Sequence, residues 1–303
     1  MSAQTSAVDT ATPAPERAEG RYARSWAILR RHPLAWAGGV GLAFVVAFCF
    51  LGPVLYRVNP LGVHILAAME PPSAAHLLGT DSVGRDQMSR MMVGGQVSLL
   101  VGFAAAATSV LIGIAYGLLA GYGGRWLDTV LMRIVDVMRA VPGLFLLLFI
   151  DSVFRPNAGL LVLIIAFVSW HPVARLVRAE VLSLRERTYV EASRAAGAPK
   201  VRVAIEHLLP NAMGTIIVTA TFGVADAVLL IAGLSFLGLG LPPPAPNWGA
   251  MLADSMAYLP QNAWWLVYPP GIALVLTVVS VNFLGDALRE AFDLRLRHSR
   301  QGG

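Results

Sequence analysis

The chain has 303 residues, 56% of them hydrophobic and 14% charged, with a mean hydropathy of +0.64. Soluble globular domains carry about 25% charged residues, so this balance excludes an ordinary soluble domain and identifies a membrane protein. The net charge of +5 comes from basic residues alternating with apolar runs, which fits a lipid surface and argues against nucleic acid; the single cysteine, Cys49, excludes an intrachain disulfide, and no Cys/His cluster has metal-ligand spacing.

Residues 1–25 are rich in Ala, Thr, Ser, Pro and Glu, have little to bury, and read as a disordered cytoplasmic tail. They lack the apolar core and small-residue cleavage site of a secretory signal. The first apolar run, Ala35 to Tyr56, has about the 20 residues that a helix needs to cross a bilayer. Cys49 within it reads as lipid-facing or as core packing. An external loop completes this first unit, residues 26–95. The loop sets Asp81 and Asp86 beside Arg85 and Arg90, so a folded cap held by carboxylate–guanidinium pairs is favoured over a metal site.

A core unit, 96–290, holds five further candidate spans: Gln96–Gly121, Thr129–Val153, Gly159–Leu176, Met213–Leu234 and Trp265–Leu284. Gly94 and Gly95, at the head of the first of these, read as small-residue helix packing. Thr129–Val153 opens with Arg133, Asp136 and Arg139 on one face, where Asp136 can pair with either arginine near the headgroups. His171-Pro172 reads as a kink. Asp226 falls deep in the fifth span, either as the polar lining of a path or as an interhelical hydrogen bond. The glycine- and proline-rich run from Ser235 to Gly249 reads as an external re-entrant or interfacial turn, followed by a short amphipathic helix through Met256. Trp264, Trp265 and Tyr268 read as an interfacial aromatic belt, and residues 291–303 as a cytoplasmic tail.

Basic residues set the orientation. Of 23 lysines and arginines, only Arg57, Arg85, Arg90 and Arg155 fall outside when both termini are cytoplasmic. By the positive-inside rule this gives an all-α polytopic membrane protein with six transmembrane helices.

The cytoplasmic loop, 177–210, carries the most local information. Thr188 followed three residues later by Glu191 forms a capping box that starts a helix, while Gly197 can take the left-handed conformation that ends one and Pro199 blocks continuation. The helix spans eight residues or so, about 12 Å, and helices this short are marginal in water without a partner. Its apolar groups are the methyls of Ala192, Ala195 and Ala196, which bury little area but permit close approach. The physics leaves two settings open, a groove in another protein or the membrane surface. The chain itself lacks a phosphate-binding loop, since its only lysine, Lys200, stands between Pro199 and Val201 rather than in Gly-Lys-Ser/Thr.

Glu191-Ala192-Ser193, then Gly197, then His207-Leu208-Leu209-Pro210-Asn211 resembles the "EAA" loop of ABC-importer permeases, with Ser193 in place of the usual second alanine. Three further stretches are similar to the peptide/nickel permeases of the DppC/OppC type. These are Gly79-Thr80-Asp81-Ser82-Val83-Gly84-Arg85-Asp86-Gln87-Met88-Ser89-Arg90; Leu234-Ser235-Phe236-Leu237-Gly238-Leu239-Gly240 with Asn247-Trp248-Gly249; and Asn282-Phe283-Leu284-Gly285-Asp286-Ala287-Leu288-Arg289.

The resemblance implies a type I ABC importer permease fold in the bacterial inner membrane. It implies a peptide substrate, a second related permease, two cytoplasmic ATPases that bind the ATP, and an external substrate-binding protein. The loop helix would be the coupling helix, with Glu191, Ala192, Ser193, Arg194, Ala195 and Gly197 facing an ATPase. The chain itself would need no cofactor and carry no catalytic or metal site. Nickel chelates or haem-like ligands are the alternative substrates of this class, and Asp226 is the one feature that favours an ion-driven secondary transporter. Where members of the family often carry a glutamate, three residues before the Leu-Ser-Phe run, this chain has Ile231. In its C-terminal tail it has Asp293-Leu294 where Asp-Pro is common.

Overall fold

The computed structural model describes residues 29–154, 157–242 and 244–301. The expected N-terminal tail, the external Arg155 and the last two residues of the C-terminal tail lie outside them. The longer helices are α1 (Pro33–Phe50), α2 (Gln87–Tyr122), α3 (Arg125–Ala140), α4 (Gly143–Val153), α5 (Ala158–Ser169), α6 (His171–Leu184), α7 (Thr188–Ala195), α8 (Leu209–Phe236), α9 (Trp248–Ser255) and α10 (Trp264–Gln301). No strand element occurs among the described residues, which contain a single isolated bridge, Thr80 to Asp86.

Four stretches are long and apolar enough to cross a membrane: Pro33–Leu55, Gln87–Tyr122, Lys200–Phe236 and Trp264–Phe292. A fifth is the pair α5 and α6, bent by 48°. The bend falls at the expected His171-Pro172 kink, because Pro172 sits in the first turn of α6, where a missing N–H costs nothing. The expected third span, Thr129–Val153, is instead two helices. Pro142 disfavours helical geometry at Val141, which is extended at φ −87° and ψ 121°. On one side of that break α3 carries five charged residues, and on the other α4 has only 11 residues, about 16 Å of helix. The six-helix reading thus resolves into four continuous spans, one bent span and one broken pair.

Helix α2 is the hub, packed against α1, α5, α6 and α8. Gly113, Gly117 and Gly121 recur every fourth residue along it and let α6 come close. A Cβ added at Gly117 would lie 2.6 Å from the Ala174 carbonyl oxygen, the small-residue contact expected of membrane helices. Gly95 does the same for Cys49 and Trp248: its added Cβ would meet the Cys49 sulfur at 2.3 Å. Cys49 is therefore core packing, not lipid-facing, and is fully buried.

Three sequence expectations change around the segment that links α1 to α2 and the helices packed on it. Asp81 does pair with Arg85 at 2.7 Å and with Arg90 at 3.5 Å. Asp86 does not pair with an arginine. It accepts from the Ser89 N–H to cap α2, accepts from the Tyr56 hydroxyl at 2.8 Å, and faces His76 Nδ1 at 2.9 Å. Burial and the Asp86 carboxylate push the Tyr56 phenol up to about 12, so it keeps the proton it donates. Trp265 is not part of an aromatic belt. It is buried and donates to the Thr80 carbonyl at 3.2 Å, stapling the external loop onto α10, while Trp264 and Tyr268 remain exposed. The helix after the Ser235–Gly249 turn is also embedded: Trp248 is fully buried and donates to the Met91 carbonyl at 2.9 Å.

On the opposite side, Asp136 pairs across helices with Arg175 of α6 at 2.6 Å rather than with Arg133 or Arg139 on its own helix. The kinked α6 approaches α3 and offers a closer guanidinium. Asp128 makes a bidentate pair with Arg178, one bond at 2.7 Å, so two α6 arginines pin the amphipathic α3.

Candidate functional site

The loop helix forms where the sequence places it, as α7, but its start is not the expected capping box. Arg187 is the N-cap residue, extended at φ −81° and ψ 139°, and no side chain caps the helix. Thr188 is already helical, so its hydroxyl is one position too late to take an orphan N–H. The Arg187 carbonyl instead accepts from the N–H groups of Val190 and Glu191. At the other end the glycine stop is as expected. Gly197 has φ +83°, its N–H donates to Arg194, and the Ala198 N–H reaches back to Ser193, a Schellman closure.

What holds so short a helix is one side chain that the sequence reading missed. Val190 is fully buried in a cluster with Val177, Val181, Val203 and Leu208. The signal was present as valines spaced four apart in α6, Val177 and Val181, with nothing within α6 to cover them. Ser193 is the one expected site residue that turns partly inward, its hydroxyl 3.2 Å from His207 Nε2. Glu191, Ala192, Arg194, Ala195, Ala196 and Gly197 are exposed. The methyls of Ala192, Ala195 and Ala196 are among these exposed groups, and a Cβ added at Gly197 would meet no atom within 4 Å. The result is an ordered small-residue ridge facing outward.

The ridge is tied to α8 through a distorted turn. Residues Ala204–Leu208 form a single π turn just before Pro210. A proline ring collides with the carbonyl four residues back, and a widened turn relieves that collision. The Asn211 side chain donates to the His207 carbonyl at 2.6 Å, satisfying an acceptor in that turn.

Beside the ridge, a cavity of about 860 Å³ opens between α6, α8 and α10, lined by Glu180, Arg187, Thr215, Thr219, Phe222 and Arg289 among others. Asp226 lies one turn beyond Phe222 on α8. It is exposed and makes no hydrogen bond or ion pair among the described residues, so it is not an interhelical bond within this chain. The ridge thus lies just before one continuous helical stretch, Lys200–Phe236, which carries Asp226 in its distal half.

Residues 113–298 match the family model described as binding-protein-dependent transport system inner membrane component, and residues 21–72 match the N-terminal transmembrane domain of oligopeptide transport permease C. A Brucella suis biovar 1 protein that carries a peptide permease name is 43% identical over 264 residues, covering 84% of this chain and 87% of that protein. The dipeptide transport system permease protein DppC of Alkalihalophilus pseudofirmus is 38% identical, covering 89% of this chain and 88% of its own. The oligopeptide transport system permease protein OppC of Bacillus subtilis is 36% identical, covering 88% of each. Among solved structures, an inward-facing MetNI methionine ABC transporter chain superposes with a TM-score of 0.52 at 23% identity, covering 68% of this chain and 97% of that one. That likeness speaks for the fold alone, a type I importer permease fold. With a family model spanning most of its length and relatives above 30% identity along nearly all of it, the chain belongs to the binding-protein-dependent transport system inner membrane components.

Proposed function

We propose that this chain is one permease subunit of an ATP-driven importer that carries peptides across a bacterial inner membrane. A related second permease, two cytoplasmic ATPases and an external substrate-binding protein complete the machine. ATP is bound and hydrolysed by the ATPases; this chain is a non-catalytic conduit. The observation that carries the reading is α7, an ordered helix whose small-residue ridge is exposed although its anchor is fully buried. Order without self-burial on that face fits a docking element. The ridge residues Glu191, Ala192, Arg194, Ala195 and Gly197 meet an ATPase cleft, and Ser193 fixes the ridge to His207 from behind.

Both termini are cytoplasmic in this reading, with the broken α3–α4 pair as the sixth crossing and the external cap at the receptor side. Asp226 lines the path. Peptides are favoured over nickel chelates or haem-like ligands because the relatives above carry peptide transport names. The test is reconstitution of the chain with its sister permease, both ATPases and the receptor in proteoliposomes. Receptor-stimulated ATP hydrolysis with uptake of labelled peptides is expected. Robust uptake by this chain alone, or uptake that follows an ion gradient with ATP depleted, would overturn the proposal.

A further inference from the structure

Resting on the path assignment just made, we infer that α8 selects its substrate by positive charge, using a strip whose threonine protons are committed inside the chain and whose one charged side chain is the carboxylate of Asp226. Helical periodicity places Asn211, Thr215, Thr219, Phe222, Asp226 and Gly233 on one face of α8, within about half a turn of each other around the axis. The opposite face carries the buried Ile216, Ala227, Val228, Ile231, Leu234 and Ser235. The strip runs from the cavity at the loop end to Asp226, about 25 Å along the helix from Leu209.

The chemistry of the strip is one-sided. The Thr215 hydroxyl donates to Glu180 Oε1 at 3.0 Å, and the Thr219 hydroxyl donates to the Thr215 carbonyl at 3.0 Å. A hydroxyl has one proton to give but two lone pairs. With both protons committed inside the chain, these two threonines present hydroxyl oxygen toward the path, beside the carboxylates of Glu180 and Asp226, while Asn211 at the loop end gives a proton to the His207 carbonyl. The arginines that line the cavity are Arg187 and Arg289, at its loop end. An ammonium or guanidinium group, which has donors and no acceptors, matches such a strip; a carboxylate does not. A carboxylate at mid-span is costly on an isolated helix, and a passing cation offsets that cost only while it is there. The preferred cargo is therefore a peptide presenting an N-terminal ammonium together with Lys or Arg, and acidic peptides are slowed at Asp226.

The experiment compares uptake of three labelled peptides of equal length, bearing Lys, Ala or Glu at the same position, by the reconstituted complex with one receptor throughout. The wild-type complex should favour the Lys peptide over the Glu peptide by about tenfold, the scale of one charge-assisted hydrogen bond. Asp226→Asn should bring the ratio to within about twofold, and Asp226→Glu should retain it. An unchanged ratio in Asp226→Asn overturns the inference. If both variants lose all uptake, a second measurement decides. In a Cys49→Ala background, Thr219→Cys should react with a membrane-impermeant thiol reagent, and the Lys peptide but not the Glu peptide should slow that reaction. A Thr219→Cys that never reacts would mean this face is packed against the sister permease, and the inference fails. A wild-type complex that hydrolyses ATP in response to receptor yet moves none of the peptides refutes the peptide reading itself, a result separate from either.

Discussion

Gly197 is the sharpest place to perturb the α7 ridge. Its φ of +83° lies in the left-handed region, where a residue with a Cβ is strained by about 1–2 kcal/mol. Sterics add nothing, because no atom lies within 4 Å of an added Cβ. Gly197→Ala therefore isolates backbone conformation from packing. The strain acts directly on the Schellman closure from Gly197 to Arg194 and from Ala198 to Ser193. The helix it closes has eight residues and a single buried anchor, so little else resists reorientation. A penalty of about 1–2 kcal/mol changes the ratio of correctly closed to re-ended helix by roughly 5–30-fold. In the reconstituted complex, Gly197→Ala should lower uptake per ATP hydrolysed, with receptor binding intact. Gly197→Val should be more severe, since β-branching makes the left-handed conformation worse. Gly197→Asn should recover much of the loss, because asparagine visits that region most readily after glycine. Wild-type uptake per ATP in both Gly197→Ala and Gly197→Val would refute the reasoning, because the ridge would then tolerate a different ending.

Three further predictions use the rest of the fold. Val190→Ala removes the anchor of α7 at a cost of about 2 kcal/mol; trypsin cleavage between Arg185 and Arg202 should accelerate on the order of tenfold, and unchanged cleavage would mean the cluster does not hold the helix. Gly38→Ala would bring a Cβ to 2.5 Å from the Ser280 carbonyl oxygen and force α1 away from α10, whereas Gly39→Ala meets nothing within 4 Å. The first should destabilise the detergent-purified chain by about 1–3 kcal/mol and the second should be neutral or mildly stabilising, with thermal melting as the readout; equal melting temperatures would contradict the packing. Tyr56→Phe deletes the hydroxyl that donates to Asp86 and should lower the melting temperature by about 2–4 °C, the effect of losing roughly 1 kcal/mol in a chain of this size.

How much of this was legible in the sequence depends on whether the signal was local. The glycine stop at Gly197 and the kink at His171-Pro172 are properties of two or three adjacent residues, and both stand in the structure. The long apolar runs likewise mark four spans. The start of α7 was misjudged because Thr188 and Glu191 satisfy the capping pattern by spacing, while the chain enters the helix one residue earlier under the pull of Val190. Pairings were misjudged wherever the partner is distant in sequence. Asp136 has arginines on its own helix, but Arg175 arrives from α6 only once the kink has formed. Asp86 has Arg85 and Arg90 as sequence neighbours, yet its role as helix cap turns its carboxylate toward Tyr56 and His76. Trp265 looked interfacial because the Thr80 carbonyl it bonds lies 185 residues away.

The same distinction explains why the ridge and the path belong to one device. From Lys200 the chain runs without a break through the π turn and α8 to Phe236. Val190 and Ser193 grip the first part of that stretch, through the cluster with Val203 and Leu208 and through His207, while Asp226 rides on its far part. A push on α7 is received where the helix is already widened by Pro210, the one turn with slack in its hydrogen-bond ladder. Beyond it, the buried face of α8 packs against α2 and α10, which resists bending and leaves rotation or sliding of the whole helix as the softer motion. In the proposed importer, either motion carries the strip and Asp226 with it when the ridge is displaced.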